Sequence, residues 1–316
     1  MPVRDAPPSV EVMTTPLTLP SFCLGGNVFG WTSSEQESFA VLDAFHAAGG
    51  TFVDTADVYS AWVPGHTGGE SEALLGRWMA SRGTRDDMVV ATKVASKPGR
   101  EGLSAETVRA AAQESLERLQ TDRIDLYYAH RDDEATPQEE TCAAFDALVR
   151  DGAVRALGAS NFSSERLASA LAVQDRDGLA RYTVVQPLYN LLDRDYERDL
   201  APLVAAEGLA CVPYSALASG FLSGKYRPGT PVDSARAPKA SRYLERGGAA
   251  ALEVLDGVAA AHGTSVPAVA IAWLAAQPTV ASPIASARTP EQLTDLLPAL
   301  DLVLTDEELT ALTALA

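Results

Sequence analysis

Short runs of apolar, β-prone residues recur along this chain at nearly even intervals, and stretches with helical spacing fill the gaps between them. The runs cover residues 22–25, 51–54, 88–94, 124–129, 153–159, 182–186, 209–213 and 280–285. They are apolar throughout rather than alternating, the pattern of strands buried on both faces of a parallel sheet. Between the third and fourth runs, Val108, Ala111, Ala112, Leu116 and Leu119 fall on one side of a helix. Strand and helix in alternation make parallel βα units. Up to the seventh run the starts lie about 27 to 37 residues apart, the length of one strand, one loop and one helix. Eight such units predict a closed α/β architecture, the (β/α)8 TIM barrel.

The chain has 316 residues, enough for two average domains or for one large barrel. No linker divides it, so residues 1–316 are expected to form one domain. A Ser or Thr followed three residues later by Glu or Gln marks helix starts at Ser34/Glu37, Thr136/Glu139, Thr289/Gln292 and Thr305/Glu308. Pro137 and Pro290 suit the first helical position. Residues 11–19 predict a short N-terminal hairpin. The interval between the seventh and eighth runs is about twice as long as the others and contains SGFLSGKYRPGTPVDSARAPKASRY. Long loops in compact domains are uncommon unless they work, so this one is expected to be a lid or belt over the barrel's active face.

A net charge of −17 repels polyanions, which excludes nucleic acids and acidic membranes as partners. It does not exclude a small anionic ligand, because a local cluster of cations outweighs a distant negative background. Cys23, Cys142 and Cys211 stand far apart in apolar segments without a CxxC pair, as in a reducing compartment. The first 20 residues hold no apolar run behind a basic start, and nowhere do about 18 apolar residues run without charge. A cytoplasmic location with no membrane span is the expectation.

Catalytic groups of a parallel barrel sit at the C-terminal ends of its strands. Four polar residues follow apolar runs there: Asp54 ends TFVD, Tyr59 closes DTADVY, Lys93 lies in VVATKV and His130 ends IDLYYAH. A phenol is too weak an acid to protonate a carbonyl near neutral pH, but a neighbouring ammonium favours its conjugate base and lowers its pKa. Lys93 is expected to do this to Tyr59, with Asp54 orienting Lys93 and His130 hydrogen-bonding the substrate oxygen. Such a site protonates carbonyls and needs a separate source of hydride. Of the four histidines, His46 and His262 fall on outer helices and His66 on a loop, so His130 alone cannot build a multi-histidine zinc site. No metal is expected. Tyr127 and Tyr128 are read as core residues, and Asp57 receives no role.

The segments GGTFVDTADVYS, GESEALLG, VVATKV, LYYAHR, LGASNFS, VVQPLYN and PYSALASGFLSGKY, in this order, resemble the motif series of the aldo-keto reductase superfamily. The resemblance runs from about residue 23 to residue 297 and implies NADPH as cofactor, a small-molecule carbonyl as substrate and the four-residue chemistry above. By matching motif it implies that Ser160, Asn161 and Gln186 bind the nicotinamide carboxamide and that Tyr214 stacks on the ring. Ser215, Leu217, Gly220 and Leu222 fall where the family's belt wraps the pyrophosphate. The last unit departs from the pattern, reading PIASARTPEQLTDLL, with Ser286 in place of a glycine and Leu296 in place of an adenine-contacting asparagine. Arg288 remains where the 2′-phosphate is met, with Gln292 and Asp295 near the adenine. Trp62, on a loop longer than in many relatives, is expected to face the substrate. The alternative that the resemblance admits is an NADPH-binding regulatory subunit like the potassium-channel β subunits, and with no partner-binding tail evident the enzyme is the expectation. Substrate identity and oligomeric state stay open.

Overall fold

A computed structural model describes residues 17–315, so most of the expected hairpin at residues 11–19 lies outside the described residues. Eight parallel strands form one sheet: β1 (Cys23–Gly25), β2 (Phe52–Asp54), β3 (Val89–Val94), β4 (Ile124–Ala129), β5 (Val154–Ser160), β6 (Tyr182–Gln186), β7 (Ala210–Cys211) and β8 (Ile284–Ala285). Each strand pairs with the next in sequence, from Leu24 opposite Val53 through to Val184 opposite Ala210, and β8 returns to β1 with Ile284 opposite Cys23. The ring closes between β7 and the approach to β8. There the Cys211 amide donates to the Thr279 carbonyl and the Ala281 amide to the Cys211 carbonyl, both at 2.8 Å. The seventh and eighth runs give only two ladder residues each, shorter than expected. Pro213 and Pro283 carry no N–H to extend the ladder.

Side chains alternate between the barrel's interior and its helix-covered outside. Cys23, Phe52, Ala91, Leu126, Tyr128, Ala156, Val184, Ala210, Val212 and Ile284 fill the interior as one apolar cluster that Leu17 and Leu19 join. A larger cluster lies between the strands and the helices, including Trp78, Phe145 and Trp273. Gly158 leaves space for Tyr128, because a Cβ there would come within 2.4 Å of the Tyr128 ring. Lys93, a charged residue on β3, is fully buried. Burial of that kind requires complete pairing.

The expected caps are realised in part. Ser34 and Thr305 make complete capping boxes with Glu37 and Glu308 for helices Glu35–Ala47 and Asp306–Thr313. Thr136 does not cap: its hydroxyl donates to Asp133 Oδ2 at 2.7 Å, and Pro137 becomes the cap of helix Gln138–Arg150. Thr289 caps helix Pro290–Leu296, which begins with Pro290 as expected, but the Gln292 side chain accepts from the Arg288 amide, one residue ahead of the cap. The long interval after β7 is not one open loop. It holds a 3-10 turn (Ala218–Ser223), two short helices (Ala237–Ala240 and Arg242–Glu245) and the helices Gly248–His262 and Val266–Ala275. No single helix among the described residues is long and apolar enough to cross a membrane.

Candidate active site

The four residues singled out by their positions converge at one end of the barrel. Asp54 ends β2, Lys93 stands on β3, His130 follows β4, and Tyr59 sits on the loop after β2. Lys93 Nζ donates to Asp54 Oδ2 at 2.6 Å, to the Thr55 carbonyl at 2.6 Å and to the Tyr59 hydroxyl at 3.1 Å. An ammonium has three donors, so this buried cation is fully satisfied. Asp54 also accepts from Gln186 Nε2 at 2.8 Å through Oδ1 and from the Tyr59 hydroxyl at 3.3 Å through Oδ2. The Tyr59 and His130 rings stand edge to face with centroids 6.2 Å apart.

The electrostatics differ from the expectation that Lys93 lowers the Tyr59 pKa. Burial, followed by the Asp54 carboxylate, holds the phenol well above its usual range. The physical reason is the 2.6 Å ion pair: with its charge matched by Asp54, Lys93 presents little net field to the phenol. Arg236 is the cation that pulls the phenol down. His130 is held neutral, its pKa well below the usual value through burial and then the Lys93 and Arg131 charges. Around neutral pH the site therefore offers a protonated phenol and an uncharged imidazole.

Above these groups opens a cavity of about 530 Å³ lined by Trp31, Asp54, Tyr59, His130, Tyr214 and Arg236 among others. Ser160, Asn161, Gln186, Ser215, Leu217 and Gly220 line it too. A second chamber of about 250 Å³ shares Leu217, Ser219, Gly220, Arg236 and Ser286 with the first, and Arg288, Gln292 and Asp295 line its far side. Asn161 Nδ2 donates to the His130 carbonyl at 2.8 Å, and the Tyr214 hydroxyl donates to Asn161 Oδ1 at 2.9 Å, fixing the phenol ring of Tyr214 at the wall. Ser160 Oγ donates to the Gln186 carbonyl at 2.8 Å.

Two expected residues stand elsewhere. Leu222 is fully buried and lines neither chamber, and its amide donates to the Leu217 carbonyl at 3.1 Å, so it offers neither a side chain nor a free donor there. Trp62 lies outside the lining and forms the rim, 49% exposed, with its ring edge-on to Trp31 at 5.4 Å and 6.3 Å from Tyr59. Sequence reasoning missed Trp31, Arg236 and Lys239, and named Lys225 only as an alternative base for the 2′-phosphate. Trp31 precedes the first capping box and so follows β1, a signal of the same kind that marked Asp54. The three cations lie in the long segment after β7, where no pattern told lining residues from outward ones.

These cations form the site's most specific feature. The Arg236 guanidinium stacks over Trp31 at 5.5 Å from the ring centroid and has no carboxylate among its close charges. Burial and then Arg288 depress its pKa, and Lys225 is depressed by burial and then by Arg288 and Arg236. Mutually destabilised cations facing one cavity are matched by an anion of several charges. Among the described residues no group of His, Cys, Asp and Glu could hold a metal ion.

The aldo/keto reductase family model matches residues 21–316. Norsolorinic acid reductase B of Aspergillus parasiticus is 34% identical over 98% of this chain and 82% of its own. An aryl-alcohol dehydrogenase of Pestalotiopsis microspora is 32% identical, covering 95% of this chain and 78% of its own. A probable voltage-gated potassium channel subunit beta of Oryza sativa subsp. japonica is 35% identical over 87% of this chain and 85% of its own.

Proposed function

The chain belongs to the aldo/keto reductase family, an oxidoreductase family, and on that premise we propose that it reduces an aldehyde or ketone with NADPH, taking the proton from Tyr59. The observation that carries the reading is the Tyr59 hydroxyl, held protonated at the floor of the cavity and accepting a 3.1 Å hydrogen bond from Lys93. The two chambers and their cations support a dinucleotide as the anion. Ser160, Asn161, Gln186 and Tyr214 would hold the nicotinamide end, Ser215, Leu217 and Gly220 the middle, and Arg288, Gln292 and Asp295 the adenosine end, with Lys225, Arg236 and Lys239 offsetting phosphate charge. When bound, the cofactor supplies hydride.

The chain's own residues govern the proton. Tyr59 accepts from Lys93 while its O–H remains free to turn from the long 3.3 Å contact with Asp54 toward a substrate oxygen. Once the proton leaves, the phenolate keeps its 3.1 Å hydrogen bond from Lys93 Nζ, and Arg236 is the cation that favours the anion. His130, neutral, donates an N–H to the same oxygen and selects the carbonyl's orientation. The Trp31 and Trp62 rings at the mouth favour a planar aryl carbonyl over a sugar-derived one, in keeping with an aryl-alcohol dehydrogenase among the relatives.

Purified protein, NADPH and a panel of aryl, aliphatic and sugar-derived carbonyls provide the test. Turnover is expected, highest for aryl aldehydes, and Tyr59→Phe should lower it by about 10²–10⁴-fold while leaving NADPH binding intact. Tight NADPH binding with no turnover on any carbonyl would instead favour a regulatory subunit.

A further inference from the structure

We propose that Asp193 is a positioning residue that clamps the segment closing the cavity, so that its grip sets how fast the dinucleotide leaves. The inference rests on the reading that this cavity takes NADPH. Asp193 lies outside both chambers, in the loop that follows β6. Its Oδ2 accepts from the Tyr243 hydroxyl and, at 3.0 Å, from Asn190 Nδ2, and its Oδ1 accepts from Arg246 Nη1 at 3.2 Å. Asn190 is fully buried, and its Nδ2 also donates to the Ser215 carbonyl at 3.1 Å. Its Oδ1 accepts from the Leu192 and Asp193 amides at 2.9 and 3.0 Å, which holds the loop in shape.

One carboxylate and one amide thus tie both ends of the segment to the barrel: Ser215 where it starts, Tyr243 and Arg246 where it turns back. The grip reaches the cavity wall through rings. Tyr243 packs on Phe221 with centroids 5.4 Å apart, and Phe221 stacks on Tyr226 at 6.2 Å. Phe221 belongs to the turn Ala218–Ser223, whose Ser219 and Gly220 line both chambers. That wall is held in an unfavourable shape. Ser215, Ala218 and Ser219 have φ of 60, 48 and 58°, the left-handed region that residues other than glycine avoid. Such backbone persists only where its surroundings over-determine it, and the contacts of Asp193 with Tyr243 and Arg246, together with that of Asn190 with Ser215, anchor it at both ends. Opening the segment to release a dinucleotide breaks them.

The test is stopped-flow release of NADPH, followed by its fluorescence, for the wild type, Asp193→Asn and Tyr243→Phe. Both variants should release NADPH about tenfold faster, the factor typical of one lost hydrogen bond to a charged group. Single-turnover reduction of a bound aldehyde should keep its rate, a split that general loosening of the fold would not give. If Asp193→Asn fails to fold, Tyr243→Phe decides, since it removes one hydroxyl and keeps the ring on Phe221. Unchanged release, or single-turnover reduction falling in step with it, overturns the clamp. A wild type that binds no NADPH overturns the cofactor reading, and the clamp with it.

Discussion

Asp57 is a buried carboxyl group with no part in the proposed proton transfer. Three positions beyond Asp54, it is fully buried, neither carboxylate oxygen has a hydrogen-bond partner, and burial followed by Glu72 raises its pKa to about 8. In the folded protein it is therefore protonated at neutral pH, whereas in the unfolded chain it ionises above its ordinary value of 3.8. Folding holds a proton that unfolding releases, so stability is full at acid pH and falls as pH rises toward 8. The slope is about 1.4 kcal/mol per pH unit in that window, after which both states are ionised. Asp57→Asn carries no charge in either state and should lose this slope, gaining on the wild type as pH rises from 5 to 8. Urea unfolding at several pH values measures it. A constant difference between the two proteins across that range would mean that Asp57 finds a partner or water in solution.

At the scale of elements, two helical glycines should respond in opposite directions to the same change. Gly76 lies in the helix Glu70–Arg82, where a Cβ would stand 2.3 Å from the Arg118 carbonyl oxygen and 2.9 Å from the Leu119 Cα. These are backbone atoms at the end of the helix Ala105–Leu119, and they cannot swing aside. Alanine gains about 1 kcal/mol of helix propensity but forces the helices apart, an overpacking cost of about 1–3 kcal/mol or more. Gly76→Ala should therefore lower the denaturation midpoint. Gly257, in the helix Gly248–His262, has nothing within 4 Å of a Cβ, so Gly257→Ala should raise stability by about 0.5–1 kcal/mol. Changes of the same sign at both sites would show that helix contacts here are looser than the geometry implies. Residue identity alone cannot tell the two glycines apart, because only the helix packing puts backbone against Gly76.

For the whole molecule the decisive contrast is between a net charge of −17 and a mouth bearing Lys225, Arg236, Lys239 and Arg288. The negative body repels polyanions at long range, while the local cations act over a few ångströms on whatever enters. Arg288→Ala should weaken NADPH by roughly 1.5–3 kcal/mol through loss of a charge-assisted contact with the 2′-phosphate. NADH, which lacks that phosphate, should barely respond. Added salt should shrink the loss, since this chamber opens to solvent. Fluorescence titration of both dinucleotides decides it: equal losses would make Arg288 a structural residue, and an undiminished NADPH preference would pass the phosphate to Lys225, which lines the same chamber.

What the sequence determined by itself is what short-range free energy controls. Apolar runs must be buried, helix starts need caps, and a polar residue at the end of a buried strand must emerge at the barrel mouth. Hence the strand order and the convergence of Asp54, Tyr59, Lys93 and His130 were legible, as were the caps at Ser34 and Thr305. Thr136 failed as a cap because Asp133 took its hydroxyl, a competition invisible in the residue pattern. Tertiary structure alone decided how the ring closes through Cys211 and Thr279, and that Arg236 rather than Lys93 pulls on the Tyr59 phenol. It also turned Leu222 inward and brought Asp193 under Tyr243. Each of these depends on the path of long side chains or loops between residues far apart in the chain. Their energies come from pairing and burial that exist only once the barrel has closed.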